Sequence, residues 1–341
     1  MRIFVYEFVT DGGWSKFYGQ SPPPSLAAEG RAMRDAVAQD FAAIPGTQVL
    51  GLDEAGAAEQ PAFQAAAREA DFTLIIAPEF DGLLATRHRW AEAAGARVLG
   101  GDRAAVELAA DKHRTAAHLA RSGLPVPVGR LLDTGDPLPA DFPYPAVLKP
   151  VAGAGSLGIR WIDEPGRLPV LPAAGGRWRL ERFCAGMAAS VVLLCGPAGI
   201  EALPACRQRL ADPARFPDEP FAYRGGECPL PAPFDERARR LAQRAVQSLA
   251  TVPARPLGWL GVDLVLGADP GGADDVVIEI NPRLTTSYVG LRRLAEGNLA
   301  AALLAAVRGE PVRLSFRPGP LQFAPDGATQ YGHAEAGARV Q

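Results

Sequence analysis

Two stretches in the C-terminal half constrain this chain more than any others: Gly258-Trp-Leu-Gly-Val-Asp263-Leu-Val-Leu and, after a short gap, Val276-Val-Ile-Glu279-Ile-Asn281-Pro-Arg283. Both read as buried strands, yet each carries an acidic or amide oxygen where an ordinary strand would carry valine. A carboxylate inside an apolar run is costly to desolvate unless a cation or hydrogen-bond donors compensate it. Glu279 and Asn281 are two residues apart, so the strand period turns both to one face, where a neighbouring strand can present Asp263. Hard oxygen ligands without a nearby His or Cys favour Mg²⁺ over zinc, and magnesium held by few protein oxygens completes its shell with water and phosphate. The pattern therefore points to a nucleotide triphosphate.

The rest of the chain is predicted to be α/β. Residues 1 to about 105 alternate short apolar strands (Arg2–Val9, Thr47–Leu52, Phe72–Ala77, Arg97–Leu99) with Ala-rich helical patterns near 26–42, 61–70, 82–95 and 102–109, which predicts a small parallel sheet. Ligands bind beyond the carboxyl ends of such strands, and here those ends carry Glu7-Phe-Val-Thr-Asp11 and Pro78-Glu79-Phe-Asp81. A helix from Asp111 stops at Ser122-Gly123, a strand runs through Tyr144 to Lys149, and 163–176 reads as loop. Strands at Arg179–Phe183 and Ser190–Leu194 flank Ala185-Gly186. Helices follow at 235–250 and about 296–308. The polar, Gly-rich tail from Pro318 is expected to be loosely ordered. The domains expected are 1–105, a small lobe at 106–180, a large lobe at 181–320 and the tail 321–341.

Composition removes some functions. The 341 residues carry a net charge of -3, which gives no basic face for nucleic acid. The longest apolar runs, such as Ser190-Val-Val-Leu-Leu-Cys195, are strand length and far short of the ~20 residues of a membrane helix. Met1-Arg-Ile-Phe-Val-Tyr-Glu reads as a first strand rather than a signal peptide, so the cytoplasm is the expected location. Cys184, Cys195, Cys206 and Cys228 form no CxxC pair and are read as free thiols.

Lys149 ends an apolar strand and precedes Pro150-Val-Ala-Gly153-Ala-Gly155-Ser156-Leu-Gly158. A glycine loop lets backbone N–H groups approach phosphate while the lysine adds charge, although a hairpin between two strands has the same composition. Lys112 alone is compatible with a solvated helix face. The ordered set says more: Asp111-Lys112, then Val147-Leu148-Lys149-Pro with the glycine loop, then Glu181-Arg-Phe183-Cys-Ala-Gly186, Gly261-Val-Asp263 and Glu279-Ile-Asn281-Pro-Arg283. Over about 106–310 this resembles the ATP-grasp family, with the first hundred residues similar to the α/β domain that precedes it.

The resemblance implies an ATP-grasp fold and an ATP-dependent carboxylate–amine ligase that passes through an acyl phosphate. It implies that Lys112 and Lys149 contact the ATP phosphates, with Gly153, Gly155, Ser156 and Gly158 in the covering loop. Glu181 and the backbone near Phe183 would read adenine, and Asp263, Glu279 and Asn281 would hold one or two Mg²⁺. Arg283 would neutralise the γ-phosphate, making it and Lys149 the catalytic pair. After the hinge glycine stands Met187-Ala188 rather than a glutamate, so ribose recognition is left unassigned. Glu7-Phe-Val-Thr-Asp-Gly-Gly, Ala77-Pro-Glu79-Phe-Asp-Gly, Gly186-Met-Ala-Ala-Ser-Val and Asn281-Pro-Arg-Leu-Thr-Thr-Ser-Tyr288 are similar to the tyramine–glutamate ligases of methanofuran-type coenzyme biosynthesis.

Further candidates for the small-molecule carboxylate and amine are Arg207 and Arg209, for a carboxylate or phosphate, and Glu7 or Glu79, for an incoming ammonium. Each has a solvated alternative. The segment Tyr223-Arg224-Gly225-Gly226 reads as a loop able to close over the site. A different ATP-grasp ligase, such as one joining two D-alanines, and a non-catalytic nucleotide-binding module are the rival readings, and a homodimer stays open.

Overall fold

The computed structural model describes residues 1–52, 58–165, 176–217 and 220–332. Three sheets follow one another along the chain. The first is parallel: β1 (Arg2–Glu7), flanked by β2 (Gln48–Leu50) and β3 (Phe72–Ile76) in the order β2-β1-β3, with Val98 adding a bridge to Thr73. Short α1 (Gly13–Tyr18) follows β1, and the crossovers are α2 (Pro24–Ala42), α3 (Glu59–Glu69) and α4 (Leu83–Ala93). The periodicities anticipated this layer closely. They missed α1, which starts at Gly12 in the left-handed conformation (φ 81) with no apolar stripe long enough to register.

After α5 (Arg103–Ala110) and α6 (Lys112–Arg121) the chain builds an antiparallel sheet from β4 (Gly129–Asp133), β5 (Ala146–Pro150), β6 (Arg160–Ile162) and β7 (Arg177–Arg182), in the order β4-β7-β5-β6. Asp111 caps α6 by accepting from the Arg114 amide, and Gly123 ends it at φ 72. The loop expected at 163–176 lies largely outside the described residues.

The third sheet has eight strands: β8 (Met187–Gly196), β9 (Gly199–Ala202), β10 (Cys206–Leu210), β11 (Tyr223–Cys228), β12 (Gly258–Leu266), β13 (Val276–Asn281), β14 (Leu321–Phe323) and β15 (Thr329–Tyr331). Their order is β13-β12-β8-β10-β11-β14-β15, with β9 paired on β8. Two expectations fail here. Tyr223–Gly226 is not a closing loop, because β11 pairs with β10 and β14. The tail is not loose over its first part, because Leu321, Gln322 and Phe323 pair with Cys228, Glu227 and Gly226. Leu321 and Phe323 are buried, and these two apolar anchors outweigh the polar composition around them. Residues 333–341 lie outside the described residues.

Helix α7 (Ala232–Ser248) covers one face of this sheet, while α8 (Ser287–Leu294) and α9 (Leu299–Arg308) lie on the other. The second face shares one continuous core with the first sheet: Ile3, Val5, Val37, Phe41 and Leu74 pack in the same cluster as Val192, Trp259, Tyr288 and Phe323. The two layers are therefore fixed relative to each other. Asp40 of α2 reinforces the joint, accepting from the Tyr288 hydroxyl at 2.6 Å and from Arg292 at 2.5 and 3.0 Å. No described helix is long and apolar enough to cross a membrane.

Removing Asp40 strands a largely buried guanidinium and a buried phenol at this joint. Asp40→Ala is expected to lower stability by about 2–3 kcal/mol in urea unfolding, and a loss below about 0.5 kcal/mol would show the joint to be apolar alone.

Candidate active site

A cavity of about 620 Å³ opens where the three sheets meet. On its large-lobe wall, β12 and β13 run antiparallel with Asp263 opposite Glu279 and Gly261 opposite Asn281. Residues directly opposite in such a pair share a face, so the three oxygen-bearing side chains converge as their spacing required. Asn281 Nδ2 donates to Asp263 Oδ2 at 3.0 Å, and Gln208 Nε2 of β10 donates to Asp263 Oδ1 at 2.9 Å. Gln208 had not been singled out in the sequence, because it lies between two arginines in a strand whose polarity hides its alternation.

Asp263 and Glu279 are too close for both to ionise freely. Burial, then the neighbouring Glu279 charge, pushes Asp263 up to about 7. Burial acts on Glu279 in the same direction, but Lys112 and Lys149 outweigh it and hold that carboxyl at about 2. Two adjacent carboxylates beside an amide oxygen form a donor set that fits a hard divalent cation, which would take the place of the hydrogen bond they share. Among the described residues no group of three or more His, Cys, Asp or Glu forms a metal site. The rest of such an ion's shell would therefore come from phosphate and water.

The facing wall supplies the cations. Lys112, at the start of α6, places Nζ 2.5 Å from Glu279 Oε2 and 2.8 Å from the Gly153 carbonyl, linking the glycine loop to the acidic strand. Lys149 of β5 is buried and pairs with Glu181 Oε1 at 2.6 Å, while Arg179 pairs with Oε2 at 2.9 Å. Both Glu181 oxygens are thus engaged by cations. Its carboxylate anchors Lys149 rather than facing a base as a free acceptor. Phe183 lines the cavity, its ring against Trp161 (4.9 Å) and Phe221 (6.2 Å), and its amide donates to the Pro145 carbonyl at 3.0 Å.

Gly153, Gly155 and Ser156 line the cavity beneath the loop, which turns through left-handed conformations at Gly155, Ser156 and Gly158. Glycine supplies these at little cost, whereas Ser156 adopts one while donating Oγ to the Phe221 carbonyl at 2.8 Å. The segment between β10 and β11 therefore meets the loop, rather than the expected 223–226.

Arg283 lines the cavity and is held side-on by Glu79, with Nε to Oε1 at 2.9 Å and Nη2 to Oε2 at 3.2 Å. Glu79 is buried behind it and is not one of the lining residues, so it orients Arg283 rather than meeting an ammonium. Glu7 lines the cavity but is 2 % exposed, and its Oε2 accepts from both the amide and the hydroxyl of Thr10. Arg207 and Arg209 also line it. They lie within β10 rather than at a strand end, and Arg209 Nη1 reaches Gln322 Oε1 at 3.2 Å.

Burial raises the Glu7 carboxyl to about 7, with the Thr10 hydrogen bonds opposing the shift. The folded pKa lies above the unfolded one, so the folded state binds the extra proton, and stability is lost as pH rises through about 7. Relative to wild type, Glu7→Gln, which keeps an acceptor for Thr10, should gain about 2 kcal/mol of stability between pH 5.5 and pH 8.5 in matched unfolding curves. An equal difference at both would contradict the burial of a charge.

Comparison with known proteins agrees with this geometry. An ATP-grasp domain model matches residues 109–287, and a pre ATP-grasp domain model matches 32–106. The chain is 30% identical over 162 residues to a D-alanine–D-alanine ligase of Caulobacter sp. (strain K31), a match that spans 46% of this chain and 49%, about half, of that protein. An ATP-grasp superfamily protein from Archaeoglobus fulgidus superposes with a TM-score of 0.66 at 23% identity, covering 95% of this chain and 92% of its own. An N5-carboxyaminoimidazole synthase from Aspergillus clavatus, in complex with ADP and 5-aminoimidazole ribonucleotide, superposes with a TM-score of 0.66 at 16% identity, covering 95% and 81%. At these identities the two structures show the shared fold. With its acidic strand pair, its two lysines and more than half its length in the matched domain, the chain belongs to the ATP-grasp family.

Proposed function

We propose that this protein is an ATP-dependent ligase that joins a carboxylate to an amine, with glutamate as the carboxylate and tyramine or tyrosine as the amine, in the making of a methanofuran-type (methylofuran) coenzyme. The observation that carries the ligase reading is the single cavity. Lys112 and Lys149 line it facing Asp263, Glu279 and Asn281, and its far end reaches the N-terminal sheet at Glu7 and Ile76. Nucleotide and small substrates would thus meet in one cavity, with Arg283 where they join. The narrower substrate reading is supported by the motifs it shares with tyramine–glutamate ligases.

In this reading Lys112, Lys149 and the glycine-loop amides position the triphosphate, and Phe183 and the apolar residues near it form the wall for the base. Asp263, Glu279 and Asn281 would hold Mg²⁺, which when bound neutralises phosphate charge. A substrate carboxylate oxygen attacks the γ-phosphorus, the bond to the β-phosphate oxygen breaks, and ADP leaves. Carboxylate oxygen is a poor leaving group, and phosphorylation turns it into a good one. The amine nitrogen then attacks the carbonyl carbon, phosphate departs with the bonding electrons, and the nitrogen gives up a proton to form the amide. Arg283, kept in place by Glu79, stabilises charge on the transferring phosphoryl group.

The sequence match to a D-alanine–D-alanine ligase favours a second reading, in which the same machinery joins two amino acids. ADP release separates the two. Release that requires glutamate with tyramine or tyrosine supports the first, and release with D-alanine alone supports the second. None with any pair would leave a nucleotide-binding module. Glu279→Gln is expected to lower turnover at least about a hundredfold with the melting curve retained, and wild-type turnover would remove Glu279 from the metal-holding set.

A further inference from the structure

The end of the cavity formed by the N-terminal layer has its own chemistry. Helix α2 turns Leu26, Glu29, Gly30 and Met33 into it, positions spaced so that they fall on one helical stripe. Ile76, the last residue of β3, and Phe80 beyond it line the same end. Among the described residues, the lining contributed by this layer includes two carboxylates, Glu7 and Glu29, and no lysine or arginine. Gly30 makes room here: a Cβ at that position would come within 2.6–2.8 Å of the Glu7 carboxylate.

The acidic side chains of this region differ in how they are satisfied. Glu79 is spent on Arg283, and Glu7 on Thr10. Glu29 accepts one hydrogen bond, at Oε1 from the buried Thr286 hydroxyl, and makes no ion pair with a described residue. Thr286 follows directly in the chain from the Arg283 segment, so its contact holds Glu29 beside the phosphoryl-transfer end of the cavity.

Resting on the ligase reading, we propose that Glu29, oriented by Thr286, is the seat for the ammonium group of the acceptor and takes one proton from it to free the attacking lone pair, and that the acceptor is a primary amine whose apolar body lies against Leu26, Met33, Ile76 and Phe80. A carboxylate next to the ammonium finds no cation on this layer, so amines without one are preferred. Glu29 thereby takes the role that the sequence had suggested for Glu7 or Glu79.

The test is steady-state ADP release with glutamate as donor and tyramine, tyrosine, phenethylamine or ethanolamine as acceptor. In wild type the KM for tyramine and phenethylamine should lie at least about tenfold below those for tyrosine and ethanolamine. Glu29→Gln should raise the tyramine KM about tenfold or more while the KM for ATP moves less than about twofold, and Glu29→Asp should recover part of the loss. Thr286→Val should raise the amine KM in the same direction by a smaller factor. An unchanged tyramine KM in Glu29→Gln, or an equal rise in the KM for ATP, overturns the seat while leaving the ligase reading intact. Wild-type protein that releases ADP with no carboxylate–amine pair overturns the ligase reading itself.

Discussion

Two carboxylates forced together in a buried sheet govern the architecture of this protein. Asp263 and Glu279 face each other across β12 and β13, and neither the shared hydrogen bond nor the amides of Gln208 and Asn281 neutralise their charge. Left alone, such a pair would cost several kcal/mol. Lys112 answers that cost from another element at 2.5 Å, and Lys149 adds its field from the small lobe. The same electrostatics that draws the lobes together leaves positive and negative groups lining one space. A magnesium triphosphate has the matching charges in the matching order, so the interaction that stabilises the cleft is also the one a nucleotide would exploit.

The N-terminal layer belongs to that arrangement. Its core is continuous with one face of the large sheet, from Ile3 and Phe41 through Trp259 to Phe323. A shared core of this kind keeps the ends of β1 and β3 at a fixed distance from the acidic strands. The Arg283–Glu79 pair carries the same coupling into the site: a guanidinium lining the cavity is aimed by a carboxylate from the loop after β3.

Much of this was legible in the chain because it depends on short periods. Polar residues at a two-residue spacing in apolar strands could only face one way, and the antiparallel register sets Asp263 opposite Glu279. The Ala-rich crossovers of the first sheet were read in the same way. What escaped depends on distance in sequence. Glu181 was read as a base-reading residue, and nothing local reveals that Lys149 and Arg179 claim both its oxygens. Glu79 has Arg283 as its partner 204 residues away, and Glu29 meets Thr286 across 257. β11 and β14 stabilise each other, yet each alone is glycine-rich or short enough to pass for loop.

A nucleotide would lie between the lysines and the acidic strand pair, with Asp263, Glu279 and Asn281 as the residues that would hold Mg²⁺, and calorimetric titration of ATP with and without Mg²⁺ measures this directly. Saturable binding of one nucleotide per chain that weakens at least about tenfold when Mg²⁺ is withheld, and again in Asp263→Asn with Mg²⁺ present, is the predicted result. Binding of equal strength with and without the ion, or no binding at all, would contradict it.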